Sequence, residues 1–287
     1  MKTLRHLIAA TALTAAFAAQ GAPCVRFHDA AADTLAINSR LIEASRIASA
    51  PERMVMLARS FDGTPYVGGT LDGDSTECLT INLAQLDCTT FVETVIALSN
   101  TAADRRVSWR DFLGALESIR YRSGELTDYA SRLHYISDWA LDNIHRGNFR
   151  EVTGMISGST GLTRSLDYMS THAGSYPRLA DPGQLERIKA VERNLKNHRF
   201  NYVRSSDAGK REFADAVRPG DIIAFVSRTK GLDVTHVAIV DHVADGHVRL
   251  IHASSAAGKV LVDPLPLATY LKRRPSVMGV RVFRTVR

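Results

Sequence analysis

Between residues 34 and 60 apolar and polar positions alternate at helical spacing, with Leu41, Ile42, Ile47, Met54, Val55 and Leu57 forming a stripe for burial. Helices are predicted there. The following stretch, Gly63-Thr64-Pro65-Tyr66-Val67-Gly68-Gly69, cannot continue a helix and reads as a turn-rich segment that brings backbone close to a neighbouring element. From Asp87 the chain runs Asp-Cys-Thr-Thr-Phe-Val-Glu-Thr-Val-Ile-Ala-Leu, which puts Phe91, Val92, Val95 and Ile96 on one face at spacings of three and four. This predicts a buried helix that begins at or near Cys88 and closes after Asn100.

Residues 104–215 are more polar and mainly helical in pattern, notably over 111–119 and 128–144, with loop-like stretches at 157–160 and 174–183. They read as an insertion, not as a second core. After Pro219-Gly220 the pattern changes to short β-branched runs at 221–226, 235–240, 248–252, 260–262 and 277–283, separated by Gly- and Asp-containing turns. These predict an antiparallel sheet. Helices first and strands last, without alternation, give an α+β class.

At the N-terminus Lys2 and Arg5 precede an apolar run over residues 7–19 that is too short to span a bilayer, and Ala16 and Ala18 fit a small-x-small cleavage pattern. Residues 1–22 are therefore expected to be a secretory signal peptide, with 23–287 as a single domain carrying the insertion. A retained anchor is the alternative. Cleavage would leave no stable membrane span and a periplasmic or secreted protein; Pro23 before Cys24 argues against lipid attachment there. The formal charge of +6 is spread without a basic run or interleaved aromatics, so nucleic acid is not expected as a partner.

Of the three cysteines, Cys24 and Cys78 are the candidate bridge in an oxidising compartment, which leaves Cys88 unpaired. Three free thiols remain the other possibility, because sequence does not fix the distance between alpha carbons. A cysteine at a helix start gains nucleophilicity when the partial positive charge there lowers its pKa, so Cys88 is a candidate nucleophile; the bland alternative is a small buried hydrophobe. His236, at the beginning of a predicted strand, is the candidate base, and His252, near the end of the next, could lie beside it on one face and orient it. Either could instead be a satisfied strand histidine.

The order Leu-Asp-Cys88-Thr-Thr-Phe-Val-Glu, Gly-Leu-Asp-Val-Thr-His236-Val-Ala-Ile and His252-Ala-Ser-Ser resembles the NlpC-type papain-like cysteine hydrolases, and within them the N-acetylmuramoyl-L-alanine amidase-like family. Gly63-Thr64-Pro65-Tyr66, Arg132-Leu-His134-Tyr135-Ile-Ser-Asp-Trp139 and Gly220-Asp221-Ile222-Ile223 extend the resemblance over most of residues 35–285. It implies a papain-like fold and a Cys88-His236-His252 triad that cuts an amide in peptidoglycan or muropeptide fragments, without metal or organic cofactor. By the same resemblance Tyr66 and Asp87 line the site near the sulfur, Ser254 belongs to it through the His-Ala-Ser-Ser motif, and Arg132, Tyr135 and Trp139 shape the substrate pocket. Leu133, Ile136, Ala140 and Ile144 form an apolar stripe, so Trp139 bordering the core is the competing expectation. A zinc amidase lacks support from any tight His-x-x-x-His pair, and a non-catalytic wall-binding module would make the coincidence of three catalytic residue types accidental. The triad alone does not separate the lactyl-L-alanine amide from an amide within the stem peptide.

Overall fold

A computed structural model describes residues 24–73 and 76–286; the leader expected over residues 1–22 lies outside them. The chain opens with β1 (Val25–Phe27), α1 (Ala30–Ala44), α2 (Ala50–Arg59) and β2 (Leu79–Ile81). It continues through α3 (Cys88–Ala103), α4 (Trp109–Arg120), α5 (Ile136–His145), β3 (Phe149–Glu151) and β4 (Ser159–Arg164). Then come α6 (Tyr168–Thr171), α7 (Pro182–Asn194), β5 (His198–Arg204), α8 (Arg211–Ala216), β6 (Ile222–Ser227) and β7 (Val234–Ala244). The chain ends with β8 (His247–Ser254), β9 (Lys259–Val262), α9 (Leu267–Lys272) and β10 (Val277–Thr285).

The strands from β3 onward form one antiparallel sheet in the order β4-β5-β10-β6-β7-β8-β9, with β3 also paired to β10. Alternate residues of the central strands serve opposite faces, as the pleat requires. Ile222, Ala224, Val237, Ile239, Ile251 and Ala253 pack into a core with the helices from α1 to α5. Ile223, Phe225, Ala238, Val240 and Leu250 pack on the other face beneath Phe213 of α8 and Leu267 and Leu271 of α9. The sheet is thus covered on both sides, and the α+β reading of the sequence holds.

Helix α3 runs through the first core. Its residues from Thr90 to Ala102 are all buried, so the one-sided stripe in the sequence understates its burial. Glu93 survives there because Arg120 of α4 meets its carboxylate at 2.7 Å, both side chains being 3% exposed, and Arg120 also donates to the Thr80 carbonyl. A buried carboxylate without such a partner would be strongly destabilising.

The helical reading of residues 104–215 missed three strands: β3 and β5 pair with β10, and β4 pairs with β5. Helices α4 and α5 of this stretch contribute Phe112, Leu116, Ile119, Trp139 and Ala140 to the first core. A smaller apolar cluster joins Tyr129, Tyr135, Leu166, Met169, Leu179, Ile188 and Leu195. At Gly279 a side chain is excluded, because a Cβ there would stand 2.0 Å from the Val203 carbonyl of the neighbouring strand.

Near the N-terminus Cys24 and Cys78 form a disulfide across the parallel β1–β2 pair, with alpha carbons 4.7 Å apart. The bridge closes a loop of sequence separation 54, worth about 4 kcal/mol if the restriction of the unfolded chain dominates. Cys88 is the free cysteine among the described residues. No described helix is long and apolar enough to cross a membrane.

Candidate active site

Asp87 caps α3: its carboxylate accepts from the Thr90 amide at 2.8 Å, while the Thr90 hydroxyl accepts from the Asp87 amide at 2.9 Å. Phe91 N–H goes to the Asp87 carbonyl, and among the described residues no backbone carbonyl takes up the amides of Cys88 and Thr89, the former bearing on its own sulfur at the helix mouth. Amide donors at a helix start form a natural site for developing negative charge. The Cys88 sulfur lies near the Val237 amide, which sets it towards β7 one residue beyond His236.

Burial pushes the Cys88 thiol up to about 11, and the neighbouring Asp87 carboxylate adds to the shift; the Val237 amide, Thr89 hydroxyl and Cys88 amide oppose it. This corrects the expectation of a thiol acidified by the helix start. Desolvation and an adjacent negative charge outweigh the partial positive charge of the helix. The sulfur therefore rests as a neutral thiol and needs a base within the site to take its proton.

The strand carrying that base is pinned at its origin. The buried Asp233 carboxylate accepts from Val234 N–H at 2.8 Å and also from Ser137 N–H in the first turn of α5, a helix whose own N-cap residue supplies no side-chain bond. Asp233 thus caps α5 from another element and fixes where β7 begins. Three residues on, His236 pairs with Phe225 of β6 beside a register shift.

Ile239 stands opposite Ile251, which puts His252 across from Ala238 and on the same face as His236. The two rings meet edge to face, and His236 Nε2 lies 2.7 Å from His252 Nδ1. On its far side His252 Nε2 is 3.1 Å from the Asp263 carboxylate, whose other oxygen accepts from Leu265 N–H at 2.8 Å.

This chain of contacts fixes tautomers. A carboxylate only accepts, so His252 carries its proton on Nε2 and presents a bare Nδ1. His236 must then donate from Nε2, leaving its Nδ1 as the lone-pair nitrogen, and no described group occupies that atom. Burial, then the neighbouring His252 and Arg274, lowers His236 to about 3, so the ring is neutral at physiological pH. His252 is also lowered, chiefly by burial, with Asp263 acting in the opposite direction. The combination is a neutral thiol at the helix mouth and a neutral imidazole on the sheet, with the partly buried Asp263 carboxylate two hydrogen bonds from that imidazole to stabilise the charge that proton transfer would create.

Around His236 lies a cleft of about 180 Å³, lined by residues that include Thr235, Ser254, Tyr270 and Arg274. Tyr270 stacks on His236 with ring centroids 6.4 Å apart. Ser254 is 6% exposed, and its hydroxyl accepts from Ala257 N–H to hold the β8–β9 turn. The loop carrying Tyr66 is laced to β9 and the turn before it: Gly63 N–H goes to the Val260 carbonyl and Tyr66 N–H to the Gly258 carbonyl. Its phenol is raised first by burial and then by the charges of Cys88 and Asp87 nearby.

The three residues expected to shape the pocket from the insertion lie elsewhere. Trp139 is 1% exposed and packs in a cluster with Phe149 and Phe283, with centroids 4.6 and 6.3 Å away, so burial leaves it no face free for a ligand. Tyr135 is buried in the small cluster, where its hydroxyl donates to Glu192 and accepts from Met169 N–H. Arg132 is 7% exposed, ion-paired to Asp72 and Glu77 and set over the Tyr129 ring at 4.9 Å. Its guanidinium is already neutralised by the protein's own carboxylates. Asp263, Tyr270 and Arg274 escaped the sequence reading: an aspartate before a proline reads as a turn, and only the pairing of His252 with Leu261 places residue 263 near the ring.

The sequence pattern of the N-acetylmuramoyl-L-alanine amidase-like family matches residues 56–280. Among solved structures, an N-acetylmuramoyl-L-alanine amidase from Bacteroides uniformis ATCC 8492 is 36% identical with a TM-score of 0.78, the match covering 83% of this chain and 99% of that one. A proposed xylanase from Bacteroides fragilis is 38% identical with a TM-score of 0.75, covering 80% of this chain and all of its own (100%). A protein from Legionella pneumophila str. Philadelphia 1, 20% identical with a TM-score of 0.69 over 90% of this chain and 97% of that one, shares the fold. No curated protein matches.

Proposed function

The chain belongs to the N-acetylmuramoyl-L-alanine amidase-like family, and we propose that it is an exported cysteine amidase that cuts the bond between the lactyl group of N-acetylmuramic acid and L-alanine. The observation that carries the cysteine mechanism is the hydrogen-bonded series His236–His252–Asp263 beside the thiol at the mouth of α3. A glycosidase would need a pair of carboxylates flanking its scissile bond, whereas here Asp87 is spent on capping Thr90 and Asp263 on His252 and Leu265.

The reaction follows from the resting charges. Cys88 Sγ attacks the amide carbonyl as its proton passes to His236 Nδ1, so sulfur becomes nucleophilic only as it reacts. The N–H groups of Cys88 and Thr89 receive the oxyanion. Collapse expels the peptide amine, which takes the proton back from His236 and leaves a thioester on Cys88. Water, deprotonated by the same nitrogen, then attacks the thioester, and the sulfur regains a proton as it leaves. His252 holds the tautomer throughout, and Asp263 stabilises the transient imidazolium.

A cysteine-bearing helix packed on an antiparallel histidine-bearing sheet supports the NlpC-type papain-like reading of the fold. The sharing of one core by α3, α4 and α5, and of one sheet by β3 to β10, supports a single domain over residues 23–287. The Cys24–Cys78 bridge suits an oxidising compartment and so supports export to the periplasm or beyond, where peptidoglycan fragments are the substrate. Digestion of a defined muropeptide with mass analysis tests the bond: release of an intact peptide beginning with L-alanine is expected. Cleavage between D-glutamate and diaminopimelate would instead make the chain a stem-peptide endopeptidase.

A further inference from the structure

Arg274 stands just after α9, its backbone N–H bonded to the Leu271 carbonyl. Its guanidinium lies over the Tyr270 ring, 4.3 Å from the centroid. Tyr270 stacks in turn on His236. The guanidinium is thus held in the wall of the cleft beside the base, and an oriented fork of donors is a good receptor for a carboxylate.

Four other part-buried arginines have their anions within the protein, Arg120 with Glu93, Arg132 with Asp72, Arg281 with Glu151 and Arg284 with Asp221, while Arg53 and Arg164 are taken up by backbone carbonyls. No carboxylate of the described residues pairs with Arg274, and none lines the cleft. Its charge bears on both imidazoles and opposes their protonation. An arginine that weakens the base in the empty enzyme would cease to do so once an anion neutralised it.

Resting on the amidase reading, we propose that Arg274 is a specificity residue that binds a carboxylate of the leaving peptide. The base must hand its proton to the leaving amine, so that peptide lies on the His236 side of the scissile bond. In a γ-linked stem the first free carboxylate beyond L-alanine is the α-carboxylate of the glutamyl residue, one residue from the cut. Binding it at Arg274 couples substrate recognition to the basicity of His236, because the cleft cation is neutralised only when the correct peptide is in place.

The test compares N-acetylmuramoyl-L-alanyl-γ-D-glutamyl-L-lysine with the same tripeptide carrying an α-carboxamide on the glutamyl residue, the γ-carboxyl being in amide linkage in both, on the full-length mature protein. The wild type should favour the acid by tenfold or more in kcat/KM. Arg274→Gln should abolish that preference by losing turnover of the acid, while keeping its thermal midpoint, and Arg274→Lys should retain part of it. Equal cleavage of acid and amide by the wild type, or an undiminished preference in Arg274→Gln, overturns the assignment and leaves the amidase reading standing. Failure of the wild type to cut either compound overturns the amidase reading and the assignment with it.

Discussion

Replacing Asp263 by Asn keeps shape but inverts the hydrogen-bond logic of the site. The carboxylate accepts twice, from His252 Nε2–H and from Leu265 N–H. The backbone amide can only donate, so an Asn oxygen facing Leu265 turns the Asn NH2 toward His252. His252 must then accept at Nε2 and carry its proton on Nδ1, which obliges His236 to accept at Nε2 and hold its proton on Nδ1. That nitrogen can no longer take the proton of Cys88. Restoring the active tautomer requires turning the Asn over and giving up the Leu265 bond, and it still lacks the negative charge that stabilises the imidazolium. A hydrogen bond to a charged group is worth about 1.5–3 kcal/mol, equivalent to roughly 10- to 150-fold in rate. Steady-state cleavage of a soluble muropeptide should show kcat reduced by that factor with KM little changed. The thermal midpoint, measured alongside, should remain within a few degrees. A kcat within twofold of wild type in the folded variant would refute the tautomer argument.

Two further outcomes follow from burial. His236 is held near 3 in the folded protein against about 6.5 when unfolded, so between these values the unfolded chain binds the extra proton. Stability contributed by the neutral ring is present above pH 6.5 and lost as pH falls toward 3, by up to about 1.4 kcal/mol per pH unit. Urea unfolding from pH 6.5 to 4 should therefore be steeper in pH for wild type than for His236→Asn, and coincident slopes would count against a neutral buried ring. Trp139→Phe should cost about 1–3 kcal/mol of stability by loosening the contacts with Phe149 and Phe283, while leaving KM unchanged. A raised KM without loss of stability would return Trp139 to the substrate pocket.

The elements nearest the chemistry were the most legible. Helix α3 starts at Cys88 as its spacing foretold, because a capping Asp and an apolar stripe are local signals. The five late strands were visible as β-branched runs, and with them the placement of His236 and His252 on adjacent strands. Strands β3 and β4 were not, since Phe-Arg-Glu and Ser-Thr-Gly-Leu-Thr-Arg carry little apolar alternation and owe their form to pairing with β10 and β5. The state of Cys88 was misjudged for a related reason. A helix start is written in the sequence, but the desolvation that outweighs it is created by packing. Trp139 shows the limit of an aromatic near a motif: its apolar stripe fits a core and a pocket wall equally well, and only the positions of Phe149 and Phe283 decide.

The account rests on a covalent bond forming at one sulfur. Rapid acid quenching during turnover of a muropeptide, followed by peptide mapping, measures that bond directly. The expected result is a muramoyl thioester on Cys88 that is absent, together with turnover, from Cys88→Ala. Sustained turnover by Cys88→Ala, or an acyl group carried on any other residue, would contradict it.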